Sequence, residues 1–309
     1  MKIIVSMATM SSRMARLKEN LPSIINQSYN FDKLIINIDD NITEEEYSFY
    51  LELKKEDERI EIKKRDSKLR SYKKLLPVLP EYPDDVIITI DDDIYYPKDC
   101  FKYLVEQYEK TPDCIIAHET NPILINKEKN YVDFIIGFDI KLLQKSWPKY
   151  LSGCALFPPH VFDGTDIFDI EKMMYCTKGL HDELWFWVNS TLNGVMVVGL
   201  NYVRSFEPEV LTPYNEDEFR LANINAKNSQ NKEYMDAINE LYGERLLVQI
   251  NSKKVLFEIN KDNVYSFLFL LPYIRSFYNY GCTVKVDNLT RDWKYKVLNA
   301  IKSDDKPTI

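Results

Sequence analysis

The run Val86-Ile87-Ile88-Thr89-Ile90 is short, β-branched and almost wholly apolar, and it ends in three adjacent carboxylates, Asp91, Asp92 and Asp93. Pro83 and Pro97 bound it. Such a run reads as a strand buried on both faces. Burying carboxylates is costly, so the triplet is expected where the strand leaves the sheet. Ligands of open α/β sheets bind outside the carboxyl ends of strands. Three acidic groups at that point suit a hard divalent cation, Mn²⁺ or Mg²⁺, which takes oxygen ligands. A solvated acidic turn is the plainer reading of an Asp pair, but a triplet placed directly after a buried strand favours the cation.

The flanking pattern supplies the rest of such a sheet. Residues 2–6 and Lys33 to Ile38 read as strands, the second again ending in acids, Asp39 and Asp40. Leu17, Leu21, Ile24 and Ile25 give one apolar side to a helix from about Met14 to Asn26. Thr43-Glu44-Glu45-Glu46 opens a second helix, with threonine as cap and acids in the first turn. Ile60 to Lys64 is a strand, Lys73 to Leu79 a helix, Cys100 to Lys110 a helix and Cys114 to His118 a strand. This alternation predicts an α/β fold, a mostly parallel sheet with helices on both faces. From Asn121 to Met174 the periodicity loosens: Tyr131 to Asp139 reads as a strand, and Lys145 to Leu156 is rich in aromatics and Pro. Residues 181–194 read as a helix, Val195 to Leu200 as a strand, Asn215 to Ser229 as a polar loop. Lys232 to Tyr242 is a helix closed by Gly243. Leu246 to Ile250 and Val255 to Ile259 then look strand-like, within a small α+β C-terminal appendage. The expected division is a nucleotide-sugar half at 1–120, an acceptor half of the same domain at 121–242, and the appendage at 243–309.

Composition removes several classes. A net charge of −8 argues against a nucleic-acid footprint, which is normally basic. The five cysteines lack CxxC spacing and suggest reduced thiols in a cytoplasmic protein, and the three histidines cannot build a histidine-rich metal site. No apolar segment is long enough to span a bilayer, the closest being Val264 to Ile274, which Pro272 interrupts. Met1 to Ser6 turns polar too soon for a signal peptide. With only 8 glycines there is no GxGxxG or GxxxxGK[ST] loop, which weakens a dinucleotide oxidoreductase and a P-loop kinase.

Four groups carry candidate chemistry. The first is the triplet. The second is Thr9 with Arg13, after the first strand, and Asp39, after the second; in a doubly wound sheet they face the triplet's crevice. An Asp there accepts from a base N–H or a ribose hydroxyl, and an Arg pairs with phosphate. The third is Asp66 to Lys74, which holds four cations; Lys74 is placed to point back at the crevice as a diphosphate partner. The fourth is His181-Asp182-Glu183 at a helix start. The dipole alone favours acids there, but Trp185, Phe186 and Trp187 follow at once, an apolar wall that suits a sugar face. A carboxylate beside such a wall has a raised pKa and can act as a general base.

These residues together resemble the nucleotide-sugar-dependent glycosyltransferases of the GT-A (Rossmann-like) fold, related to the bacterial family 2 enzymes, over roughly residues 1–242. The resemblance rests on Thr9-x-x-x-Arg13, Leu21-Pro22-Ser23-Ile24-x-x-Gln27-Ser28, Ser71 to Pro77, Ile90 to Pro97, Gly153 to Pro159, and Asp182-Glu183-x-Trp185-Phe186. It implies that Asp93, with Asp91, binds Mn²⁺ or Mg²⁺. Asp91 and Asp92 would contact the donor, with Thr9, Arg13, Asp39, Asp66 and Lys74 holding a uridine nucleotide and its diphosphate. Asp182 and Glu183 would be the acidic pair near the acceptor, with Trp185 and Gly153 binding it. Asp-Glu departs from the commoner Glu-Asp or Asp-Asp, which leaves the identity of the base open, and inversion is expected without retention being ruled out. The implied acceptor is a glycan or lipid-linked glycan of surface-polysaccharide synthesis, such as lipopolysaccharide. That implies peripheral contact with the inner face of the membrane, for which Lys141 to Lys149 and the C-terminal tail are the candidates. A sugar-phosphate nucleotidyltransferase would carry a Gly-rich N-terminal loop, and Met7 to Arg13 has no glycine. A phosphatase needing DxDx[TV] would carry it after its first strand. A non-catalytic carbohydrate-binding protein on the same scaffold stays open, and metal-dependent hydrolysis of nucleotide sugars separates it from an enzyme.

Overall fold

The computed structural model describes residues 1–126, 131–134, 149–200, 209–210, 230–251, 255–258 and 284–287. Strands β1 (Ile3–Ala8), β2 (Lys33–Asp39), β3 (Ile60–Arg65) and β4 (Val86–Asp91) form the parallel core of the sheet. The two-residue β5 (Ile94–Tyr95) follows the triplet. β6 (Cys114–Asn126), β7 (Tyr131–Phe134), β8 (Lys149–Phe157) and β9 (Met196–Gly199) complete the sheet in the order β3-β2-β1-β4-β8-β6-β7, with β9 pairing β6. β8 runs antiparallel to both β4 and β6, and β7 antiparallel to β6. The sheet is therefore mostly parallel, as the alternation predicts.

Period-2 alternation divides the strands between two cores. Ile3, Val5 and Met7 of β1 join Ile88 and Ile90 of β4 on one face. There they meet Leu17, Leu21 and Ile24 of α1 (Met14–Ile25), Tyr50 of α2 (Glu44–Leu53) and Phe101 and Leu104 of α3 (Cys100–Lys110). Ile4, Ile35 and Ile87 turn to the other face. Met173 and Cys176 of α4 (Ile170–Thr177), Trp185 and Phe186 of α5 (Asp182–Leu192), and Tyr234 and Ile238 of α6 (Gln230–Asn251) cover that side. The expected cap of α2 forms a full capping box: Glu46 donates its backbone N–H to the Thr43 hydroxyl, and the Glu46 carboxylate accepts from the Thr43 backbone N–H.

Four sequence expectations change. Lys73 to Leu79 is not a helix: Ser67–Lys74 is a 3-10 segment followed by turns. Arg70 at its kink has φ 46°, a value uncommon for a non-glycine residue. The stretch from Lys145 to Leu156, read only as rich in aromatics and Pro, supplies β8 from Lys149 onward; Ala155 and Phe157 are buried on one face and Cys154 and Leu156 on the other, so no polar alternation marks it. Gly243 does not close a helix, because α6 runs through it to Asn251. Tyr234, Ile238, Tyr242, Leu246 and Ile250 repeat every four residues and are all buried. That stripe outweighs the roughly 1 kcal/mol a mid-helix glycine costs. Leu246 to Ile250, read as a strand, is the end of the same helix. The divisions at 120/121 and 242/243 fall inside β6 and α6.

β10 (Glu209–Val210) pairs with β5, and β11 (Val255–Glu258) with β12 (Val284–Asp287) in parallel. The polar stretch Asn215 to Ser229 and Val264 to Ile274 lie outside the described residues, as does the stretch from Lys141 up to β8. Among the described residues no helix is long and apolar enough to cross a membrane.

Candidate active site

After β1 the chain builds β2 and β3 on one side, then returns to place β4 on the other. Loops leaving β1 and β4 therefore diverge and open a crevice at the carboxyl ends, where such sheets bind ligands. Ala8 is in register with Asp91 across β1 and β4, and with Asn37 across β1 and β2. Thr9, Asp39 and the triplet thus emerge side by side, as the sequence predicts. Thr9 is pinned by its backbone N–H to the Asn37 carbonyl at 3.1 Å.

The triplet separates into three environments. Asp92 is buried, at 1% exposure, and accepts a 2.7 Å hydrogen bond from Arg13 Nη1. Burial pushes its carboxyl above the usual value, against the pull of the Arg13 guanidinium. Asp93 is also buried, with Oδ2 3.7 Å from the same Arg13 nitrogen. Asp91 is the most open, and its Oδ1 accepts from Lys74 Nζ at 2.9 Å.

Lys74 reaches further than the sequence implied. Its Nζ also lies 2.9 Å from Asp182 Oδ2, so one buried ammonium joins the end of β4 to the start of α5. Burial opposes its charge, but Asp182, Asp91 and Glu183 outweigh that and hold its pKa well above the ordinary lysine value. The same pairing holds Asp182 below the ordinary carboxylate value in spite of burial. His181, at the N-cap of α5, is buried and its pKa is pushed down to about 4, so it is neutral at pH 7. Glu183, in the first turn, is partly exposed.

Sequence reasoning missed Lys73, which is buried and ion-pairs with Asp39. It also missed Tyr72, whose hydroxyl bonds the Thr177 hydroxyl at 2.5 Å. Consecutive residues of the 3-10 segment therefore hold β2, β4, α4 and α5. A run of adjacent cations beside acidic strand ends was the available signal for Lys73.

Two expected site residues take other roles. Trp185 does not line a sugar face: it is wholly buried, and its indole N–H donates to the Ile167 carbonyl at 3.0 Å. The apolar residues after Glu183 belong to the core because α5 is covered on nearly every side. Asp66 is exposed and caps the 3-10 segment, accepting from the Lys68 backbone N–H at 2.9 Å. Gly153 lies on β8, next to Cys154, at the irregularity in its pairing with β6, between the registers of Ser152 and Ala155.

Among the described residues no three His, Cys, Asp or Glu side chains converge as a ready-made metal cage. The donor set still suits Mn²⁺ or Mg²⁺ in the form in which one or two carboxylates act with substrate phosphates. Asp93 and Asp91 have the hard oxygens for it, and Oδ1 of Asp92 is bonded to Arg13.

Residues 9–155 match the family model described as Glycosyl transferase family 2. That match runs from the end of β1 to β8 and covers just under half of the chain. Its mostly parallel sheet, covered on both faces, is the α/β arrangement that the sequence predicts. The segment contains Thr9, Arg13, Asp39, Lys74 and the triplet, and it ends before Asp182 and Glu183. That acidic pair is tied to the family 2 segment by the Lys74 bridge. Among solved structures the chain is similar to the crystal structure of S. aureus TarS 1-349, at 12% identity over 91% of this chain and 81% of that one, with a TM-score of 0.43. It is also similar to TarS 1-349 in complex with UDP-GlcNAc, at 12% identity over 89% and 81%, with a TM-score of 0.44. No curated protein matches the chain.

Proposed function

We propose that this glycosyltransferase moves a sugar from a nucleoside diphosphate donor, a UDP-sugar, to a hydroxyl of a glycan or lipid-linked glycan, with inversion. The observation that carries this reading is the Lys74 ammonium between Asp91 and Asp182, which sets a donor-side and an acceptor-side carboxylate around one cation. Thr9 and Asp39 line the nucleoside end of the crevice, and Arg13 the diphosphate end. A Mn²⁺ or Mg²⁺ ion held by Asp93 and Asp91 would supply positive charge to the diphosphate as it leaves.

Glu183 is the better base of the acidic pair. Asp182 is buried and held as an anion by Lys74, so its affinity for a proton is low. Glu183 sits on the same turn of α5, partly open to solvent. The acceptor oxygen forms its bond to the anomeric carbon while its proton passes to Glu183. The anomeric carbon–oxygen bond breaks, and the electron pair leaves on the diphosphate. Arg13 meets that developing charge. Asp182 keeps Lys74 in place.

The test is a panel of nucleotide sugars with Mn²⁺, reading hydrolysis of the donor without acceptor and transfer to simple glycans with it. Slow hydrolysis that disappears in Asp93→Ala is expected. Glu183→Gln should lower transfer by about 10²–10⁴-fold, the usual worth of a general base, with donor affinity unchanged. A panel in which no nucleotide sugar binds in the presence of metal would sink the reading.

A further inference from the structure

We infer that Lys74 is a positioning residue shared between Asp91 and Asp182, and that occupation of Asp91 by the donor's metal hands the ammonium to Asp182 and so fixes the start of α5. The inference rests on the proposed function, which supplies the metal and its diphosphate.

The ammonium holds its two acids unequally. Lys74 Nζ donates an aligned hydrogen bond to Asp91 Oδ1 at 2.9 Å. Asp182 Oδ2 lies at the same 2.9 Å, yet it is buried and accepts no aligned hydrogen bond from any described residue. Exposure separates the acids as well: the Asp91 side chain is 32% open and that of Asp182 9%. Asp91 therefore meets both the crevice and the lysine, whereas Asp182 meets the lysine from inside. Among the described residues Asp91 gives the cation only Oδ1, which leaves Oδ2 for a hard metal ion. Topology accounts for the sharing: Lys74 ends the 3-10 segment, Asp91 ends β4 and Asp182 begins α5. Lysine is a compact charge on a flexible stem with three rotatable donors, so it can turn between two such acids while the backbone stays in place.

The consequence is a link between metal and helix. A carboxylate that coordinates a dication gives less of its charge to the lysine. A buried ammonium keeps its own charge only beside an anion, and Asp182 is the second one in contact with it. Turning toward Asp182 supplies a donor to a buried oxygen that lacks an aligned one, which offsets part of the loss at Asp91. Linkage makes the effect reciprocal: by drawing Lys74 off Asp91, the Asp182 anion favours metal there. Glu183 follows Asp182 in the first turn of α5, so loading the donor sets the proposed base.

The experiment measures Mn²⁺ binding at saturating UDP by electron paramagnetic resonance, on the full chain and its variants. Hydrogen exchange at the start of α5 is followed with UDP, with and without Mn²⁺. Asp182→Asn leaves Lys74 to Asp91 alone and should weaken Mn²⁺ by about fivefold or more. Lys74→Met should strengthen Mn²⁺ by about threefold, whereas removing a merely structural lysine would weaken it. In the Lys74→Met background, Asp182→Asn should change Mn²⁺ affinity by less than about twofold. Mn²⁺ should slow exchange at the start of α5 in wild type and not in Asp182→Asn, a readout that stands even where Lys74→Met does not fold. Unchanged Mn²⁺ affinity in Asp182→Asn, an equal effect of that substitution without Lys74, or wild-type exchange that Mn²⁺ does not slow overturns the inference. If wild type binds no Mn²⁺ with UDP, the proposed function fails, and thermal unfolding without ligand decides the sharing. There Asp91→Asn stands in for the occupied acid. Asp91→Asn combined with Asp182→Asn should lower the melting temperature by more than the sum of the singles, because each single leaves Lys74 one anion. A drop equal to that sum or smaller overturns it.

Discussion

Two cations meet the aspartate triplet, and they are built differently. Arg13 and Asp92 come from the two lips of one crevice, and their bond closes on itself. Lys74 comes from the opposite side of the sheet and ties Asp91 to Asp182, which lies beyond the end of the family 2 segment. The first is a local pair that joins the loop after β1 to the loop after β4. The second holds the start of α5 in register with the end of β4, and so sets Asp182 and Glu183 relative to the triplet. A site made of two such parts can lose orientation without losing architecture, or lose both at once, depending on which cation is removed.

Removing Lys74 is the sharpest way to break that contrast. Lys74→Met strands Asp91, Asp182 and the nearby Glu183 without their shared cation. Breaking a buried ion pair from one side typically costs about 3–5 kcal/mol. Arg13→Ala should cost less, about 1–3 kcal/mol, the range for one stranded buried polar group. Asp92 already has a raised pKa and can answer the loss by taking a proton. Urea unfolding of both variants checks the ranking; an Arg13→Ala penalty equal to that of Lys74→Met would erase the distinction. Transfer activity should vanish in Lys74→Met.

The pH dependence sharpens the acceptor side alone. His181 has a folded pKa of about 4, caused first by burial and then by Lys74, against the opposing pull of Asp182. Its unfolded value is near the ordinary 6.5. Between these values the unfolded chain takes up a proton that the folded chain refuses. Stability is therefore full above pH 6.5 and falls as pH drops toward 4, by on the order of 3 kcal/mol. Asp182 has a depressed folded pKa, so its contribution is lost in a lower window, as pH falls below the ordinary 3.8. Lys74, with a raised value, keeps its contribution until pH rises past the ordinary 10.5. Unfolding measured at pH 7, 5.5 and 4.5 should show the loss in wild type and a flat response in His181→Gln. An unchanged slope in the variant would assign the loss to other groups.

The difference between the two cations also marks what the sequence could say. Strand ends are local features, so Val86–Asp91, Thr9, Arg13 and Asp39 were readable from apolar runs and the acids that stop them. The Lys74 partner on the acceptor side was not, because the 3-10 segment and α5 meet only through the folded sheet. Trp185 was misread for the same reason: three aromatics after an acidic pair look alike whether they face a sugar or a core. Here α4 and α6 close over them. The passage of α6 through Gly243 was legible, since the four-residue apolar spacing from Tyr234 to Ile250 never breaks. A glycine was given more weight there than the burial it interrupts. β8 was hidden because both of its faces are covered, Ala155 and Phe157 on one side and Cys154 and Leu156 on the other, so no polar face alternates along it.

The smallest expected effect concerns how firmly the 3-10 segment holds the acceptor side. The Tyr72 hydroxyl bonds Thr177 at 2.5 Å at the end of α4, and the Tyr72 ring meets Phe186 of α5 edge-on, with centroids 5.9 Å apart. Tyr72→Phe keeps the ring contact and removes only the hydroxyl. It strands the Thr177 side chain little, because that hydroxyl also donates to the Met173 carbonyl at 2.7 Å. The loss should be about 1 kcal/mol, one net hydrogen bond. Tyr72→Ala should cost about 3–5 kcal/mol, since it empties a wholly buried aromatic position beside Lys73 and Lys74. If the segment orients Lys74 through this packing, Tyr72→Phe leaves UDP affinity and transfer near wild type, while Tyr72→Ala lowers transfer more than UDP binding. Equal loss of both in Tyr72→Ala would mean that the donor side leans on the same ring, and that the two cations are less independent than their geometry implies.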